Sequence, residues 1–201
     1  PSDQSEQNAD APSPFEKFRI APVAPPPEEV LVHERGGALL SITDSGESTD
    51  ERIKAYIRER GVLATNIDLS HTRITDGGLK VLKDTPNLAA ISLEHTDTSD
   101  AGVKTLSESK LNKLKEINLH GTTVGDKGAE ALSKMIALQK LNLNDTNVSC
   151  DGAKSLSALK NLEVLTMDYS PVSDAGIASM KGMNNLRSLS LKGTPITDAS
   201  V

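Results

Sequence analysis

Three histidines raise the question of chemistry first. His71, His95 and His120 occupy successive stretches of similar sequence, with Asp68 and Glu94 nearby. Imidazole and carboxylate bind zinc and related ions when several converge on one point. His120, however, stands one position off the column that His71 and His95 share, and no His-Glu-x-x-His helix accompanies them. The three read as exposed histidines, not a metal centre. A second series is acidic: Asp76, Asp100, Asp126, Asp174 and Asp198 each stand just before a short helical stretch. Ser, Thr and Asp at such positions are natural N-caps, so each aspartate is expected to cap its own helix and calcium is not needed to explain the series. Cys150 stands where the other stretches have that aspartate. A thiol beside a helix N-terminus can be acidified and made reactive or able to pair between molecules. The plainer reading is an imperfect copy in which Ser149 takes over the cap. Nucleophile elbows, Gly-rich phosphate loops and Cys-x-x-Cys pairs are all missing from the sequence. The chain is expected to be no enzyme, with no cofactor and no bound metal.

What must position these residues is a repeat. Leu69, Leu93, Leu119, Leu143, Met167 and Leu191 mark equivalent positions spaced 24 residues apart, except for one interval of 26. A fixed period in this range is the signature of a solenoid, whose units bury their apolar faces only by stacking on one another. Before each anchor the pattern Leu-x-x-Ile/Leu-x-Leu alternates with period two and predicts a short strand, so the repeats form a parallel sheet. Three residues after it stands Thr72, Thr96, Thr122, Thr146, Ser170 or Thr194, a hydroxyl expected to bond to backbone that would otherwise go unpaired. Apolar helix positions such as Leu79 and Leu82 then point inward. The phrase Thr-x-Ile-Thr-Asp-x-Gly-Leu is the corner at which strand turns into helix.

Upstream, residues 30–63 are expected to form a cap. Two apolar runs flank Gly36-Gly37 as in a hairpin, and a helix over about 49–60 follows, with Ser48 and Glu51 at capping-box spacing and Gly61 at its end. Residues 1–29, rich in Pro and acidic residues, are expected to be a flexible, disordered tether carrying four of the chain's six net negative charges. The rest of the chain, residues 30–201 with the repeats at 64–201, is thus nearly neutral overall and is expected to offer no basic field for nucleic acid. No apolar run is long enough to span a bilayer, so no membrane insertion by this segment is expected. The single cysteine rules out an internal disulfide framework. Compartment stays open, with the tether leaning toward an exported or envelope protein.

The composite pattern LxxLxLxxTxITDxGLxxL resembles the leucine-rich repeat family, with Thr where many members place Asn or Cys. The corner is similar to that of the cysteine-containing subclass of F-box adaptors, and Val124–Leu132 (VGDKGAEAL) resembles repeats of bacterial effector and surface proteins. No F-box-like helix precedes the repeats, so the ubiquitin-ligase role of those relatives is not carried over. The resemblance implies a right-handed α/β solenoid of five complete units and a truncated sixth, its parallel sheet lining a concave face that binds proteins and its helices on the convex side.

The partner-binding candidates are the outward strand positions. One column holds Asp68, Ser92, Asn118, Asn142, Thr166 and Ser190; the next holds Ser70, Glu94, His120, Asn144, Asp168 and Lys192, with His71, His95, Asp145 and Tyr169 at its edge. Small polar groups dominate, and Tyr169 is the lone aromatic anchor, which points to a weak, polar or multivalent contact. The leading expectation is a non-catalytic recognition scaffold for another protein. The alternative is a structural spacer of a larger surface or envelope protein, and a third reading is one domain of a longer sensor or effector. The chain stops before the helix of the sixth unit, so further repeats or a dimer partner are expected to cover that end.

Overall fold

The structure is a computed structural model that describes residues 30–34, 39–42 and 48–197. The expected tether over residues 1–29 lies outside the described residues, as do residues 198–201. A single sheet of eight strands runs in the order β2-β1-β3-β4-β5-β6-β7-β8. The first two, β1 (Val30–Glu34) and β2 (Leu39–Ile42), pair antiparallel as the two apolar runs predict. β1 also pairs antiparallel with β3 (Ala64–Asp68). From there β4 (Ala90–Ser92), β5 (Glu116–Asn118), β6 (Lys140–Asn142), β7 (Val164–Thr166) and β8 (Ser188–Ser190) add in parallel. The register is constant: Ile67, Ile91, Ile117, Leu141, Leu165 and Leu189 are Cα partners in one row. This row and the anchors behind it are the inner face of the sheet, and all but Leu189 in the row are fully buried.

Helices cover that face. α1 (Thr49–Arg60) is N-capped by Ser48, whose side chain accepts from Glu51 N–H, and it buries Ile53, Tyr56 and Ile57. Gly61 ends α1 with an ordinary right-handed φ of −57°, so it is there for space: a Cβ would lie 2.8 Å from Ile57 Cγ2. The first repeat turns through a 3-10 stretch at Gly78–Asp84. The later ones carry α2 (Asp100–Glu108), α3 (Asp126–Leu132), α4 (Cys150–Leu156) and α5 (Asp174–Ser179). Sheet on one face and short helices on the other make an α/β solenoid around a continuous core of Leu, Ile, Val and Ala.

The corner hydroxyls behave as predicted: Thr72, Thr96, Thr122 and Thr146 each donate to the carbonyl three residues back, at 2.7–2.8 Å. Ser170 instead donates to Leu143 O of the preceding repeat. Asp76, Asp100, Asp126 and Asp174 do not cap their own helices, and this expectation is corrected for them. In α2, α4 and α5 the N-cap is the serine before them, Ser99, Ser149 or Ser173, and in α3 it is Gly125. The carboxylate reaches forward by one repeat. Ser99 N–H and Oγ–H donate to Asp76, Gly125 and Gly128 N–H to Asp100, and Ser149 N–H, Ser149 Oγ–H and Gly152 N–H to Asp126. Each aspartate therefore satisfies the free N–H groups of the next helix. The ladder starts earlier than the sequence pattern suggested, because Asp50 of α1 accepts from Thr75 N–H at 2.9 Å and from Thr75 Oγ1 at 2.6 Å. At Cys150 sulfur stands in: its Sγ lies 3.0 Å from Ser173 Oγ and accepts from Ser173 N–H at 3.4 Å.

Candidate protein-binding face

The outward face of the sheet is built by the alternate strand positions. Of the first predicted column, Ser92, Asn118, Asn142 and Thr166 are buried and Asp68 and Ser190 half-buried. These groups bond to one another along the sheet. Ser70 and Ser92 hydroxyls lie 2.7 Å apart, Asn118 Nδ2 donates to Ser92 Oγ and Glu94 Oε2, and Thr166 Oγ1 donates to Asn142 Oδ1. The buried four shape and stiffen the face through these bonds and, being buried, offer a partner little area.

That next column, Ser70, Glu94, His120, Asn144 and Asp168, is half-buried, and Lys192 is exposed. Several of its members also serve the scaffold. Asn144 Oδ1 accepts from Asp168 N–H, and Asp168 Oδ1 accepts from Ser190 Oγ–H and Lys192 N–H. Asp68 accepts from Ser70 N–H. Burial pushes the Asp68 carboxyl above the ordinary range, the Ser70 hydrogen bonds pull it back in part, and the Glu94 charge pushes it up further.

The most prominent groups stand at the edge. His71, His95, Asp145 and Tyr169 have left-handed backbone, with φ between 51° and 59°. Gly121 and Gly193 hold the same position in their repeats. The conformation persists because the parallel ladder continues through the corner: His71 N–H donates to Glu94 O, His95 N–H to His120 O and Tyr169 N–H to Lys192 O, all at 2.8 Å. The turned backbone throws the His71, His95 and Tyr169 side chains outward onto the next repeat. His71 stacks on His95 with ring centroids 5.0 Å apart, and His95 meets His120 at 4.7 Å, tilted by 54°. His95 lies where a Cβ on Gly121 would fall, and the Tyr169 ring lies over Gly193 in the same way. His71 Nε2 is 4.0 Å from Glu94 Oε1. The structure thus gathers the three histidines that the sequence divided between two columns. Only His71 and His95 meet face to face, and among the described residues no group of three or more His, Cys, Asp or Glu side chains could hold a metal ion.

One further column belongs to this face and was missed in the sequence: Asn66, Ala90, Glu116, Lys140, Val164 and Ser188, one alternation earlier in each strand. Continuing the period-two pattern back by a step would have found it. It contains an ion pair, Lys140 Nζ to Glu116 Oε1 at 3.6 Å. Among the described residues no helix is long and apolar enough to cross a membrane.

A parallel strand, a hydroxyl-braced corner and a short helix, repeated in constant register, define an α/β repeat solenoid. The leucine-rich repeat family profile matches residues 65–83 and 110–133, one segment on the first repeat and one ending in α3. The fold is thus of the leucine-rich repeat type, an α/β solenoid with a parallel sheet on one face and short helices on the other. Among solved structures it is similar to internalin C2 of Listeria monocytogenes, with a TM-score of 0.58 and 21% identity over 73% of this chain and 66% of that one. It also matches the internalin inlF of that organism, with a TM-score of 0.40 and 13% identity over 66% of this chain and 49% of that one. The chain therefore spans just under two thirds of the first and about half of the second. No curated protein matches the sequence. Leucine-rich repeat proteins are typically protein-interaction modules and generally non-catalytic.

Proposed function

We propose that this chain is a non-catalytic scaffold that recognises another protein through the concave sheet face. The observation that carries the reading is the edge of that face, where His71, His95 and Tyr169 project from a rigid, hydrogen-bonded corner. Tyr169 is 59% exposed. Rigid rings held out from a preorganised sheet lose little entropy on binding, which is the property an anchor needs. The half-buried Glu94, His120, Asn144 and Asp168 supply polar groups around them. The partner is a protein, and the internally bonded inner column makes the contact shallow.

A second reading, a structural spacer within a larger surface protein, has an observation of its own. Much of the face's polar chemistry is already spent on bonds between repeats, as a stiff rod would need. Affinity capture with two baits separates the two. One bait is the parent chain, and the other carries His71→Ala, His95→Ala and Tyr169→Ala, whose side chains brace no strand. A protein held by the first and lost by the second is the expected result. Equal capture by both removes the sheet face as the site, and capture by neither favours the spacer.

A further inference from the structure

The two rims of the solenoid differ in charge. The turns leading from helix to strand, residues 58–66, 83–90, 108–116, 133–140, 157–164 and 180–188, carry eleven Lys and Arg against five Asp and Glu. The turns leading from strand to helix, residues 68–76, 92–100, 118–126, 142–150, 166–174 and 190–197, carry two against nine. Near-neutrality of the whole hides this division. Lys110, Lys115 and Lys134 on the basic rim are exposed and have no carboxylate partner among the described residues.

The same rim carries apolar groups in water. Ile136 is 66% exposed, Val62 58% and Leu63 36%, three of the five large hydrophobic residues exposed among the described residues. Singly exposed apolar side chains are ordinary; their gathering on one rim among unpaired lysines is not. Val62 and Ile136 occupy the same place in their repeats, since Asn87 Nδ2 donates to Val62 O at 2.7 Å and Asn161 Nδ2 to Ile136 O at 2.9 Å. Their carbonyls are therefore pinned to the neighbouring repeat, and the side chains stand on fixed backbone.

We infer that the basic rim around Ile136 is a second docking surface, separate from the sheet face, for an acidic protein segment bearing apolar side chains. Charge complementarity selects the acidic residues, and Val62 and Ile136 take the apolar ones. A nucleic acid would use the charge but has no use for Ile136, and the rim offers no exposed aromatic on which bases could stack.

The test follows backbone amide signals of the isotope-labelled full chain while a short synthetic peptide of alternating Glu and Leu is added. The expected result is movement of the Val62, Lys134 and Ile136 signals, weakening as salt rises. Lys110→Glu with Lys134→Glu should reduce affinity about tenfold, and Ile136→Ser roughly threefold. Unmoved rim signals at about millimolar peptide would overturn the proposal, as would equal binding of a Lys-Leu peptide. Equal binding of an all-Glu peptide or an oligothymidine, with no loss in Ile136→Ser, would reduce the rim to a general anion attractor. Rim signals that shift with protein concentration, or on removal of residues 1–29, would give the surface to a second copy or to the chain's own N-terminal segment instead.

Discussion

Burial is the dominant influence on the Asp68 carboxyl and raises its pKa. The folded chain therefore holds this proton more tightly than the unfolded chain does. Stability from this group falls as pH rises from the ordinary carboxylate value, about 4, through the raised one. Asp68→Asn keeps an acceptor for Ser70 N–H and removes the charge. Its melting temperature should equal or exceed that of the parent at about pH 7, with the difference closing below about pH 4. A deficit at neutral pH that vanishes in acid would show that the ionised form is what the fold needs. Gly125 offers a second test at this scale. It holds the N-cap place that Ser99 and Ser149 hold elsewhere, in extended backbone with φ −126°, and its nearest neighbour to a Cβ would be Asn147 O at 3.6 Å. Gly125→Ser should add roughly 0.5–1 kcal/mol, a few tenths by capping α3 and the rest from a less flexible unfolded chain. That would raise the melting temperature by a few degrees; no change or a decrease would mean the serine does not cap α3.

At the scale of elements, α3, α4 and α5 have seven, seven and six residues, too short to hold together alone in water. Tertiary contacts must hold them, and the forward-reaching aspartates are part of how. The sequence made the helices and strands legible because both depend on local periodicity. It showed that an acidic residue recurs at the corner but not which backbone it serves, because the bonds join residues 23 to 28 positions apart. Nearest in sequence was mistaken for nearest in space. α1 was hidden as a rung for another reason: Thr49-Asp50 fits the corner, but Arg52 stands where the later corners have glycine. The histidine cluster was missed because a left-handed residue turns its side chain across to the neighbouring column. The burial of Asn118 and Asn142 could not be read either, because alternation tells which face a side chain is on and nothing about what covers it. One consequence is testable on the cap. Asp50→Ala strips Thr75 N–H and Oγ1 of their acceptor and should cost about 1–3 kcal/mol in urea unfolding. A loss confined to the tenths would show that the cap is held by the packing of Ile53 and Ile57 alone.

For the whole molecule, stability is close to a sum of repeats and the interfaces between them. Three kinds of bond join neighbouring repeats: the strand ladder throughout, the turn asparagines Asn87, Asn161 and Asn185 where they occur, and the forward carboxylates. The last is weakest where sulfur replaces oxygen, between the repeat that contains Cys150 and the one that contains Ser173. The 3.4 Å bond from Ser173 N–H to Sγ replaces bonds of 2.7–3.0 Å made by Asp76, Asp100 and Asp126 to the matching backbone N–H. The same Ser173 bonds lower the Cys150 pKa. A chain of near-neighbour interfaces should open first at its weakest link. Hydrogen exchange is then expected to show the amides from Thr166 to Leu191 opening together, at lower free energy than those from Ile67 to Leu143. Cys150→Asp restores the carboxylate and should slow exchange on the C-terminal side of the link by about five- to thirtyfold, from about 1–2 kcal/mol. Protection on the N-terminal side should stay as it was. Uniform slowing across all repeats would mean that the solenoid opens as one unit, and the weak rung would then have no boundary to mark.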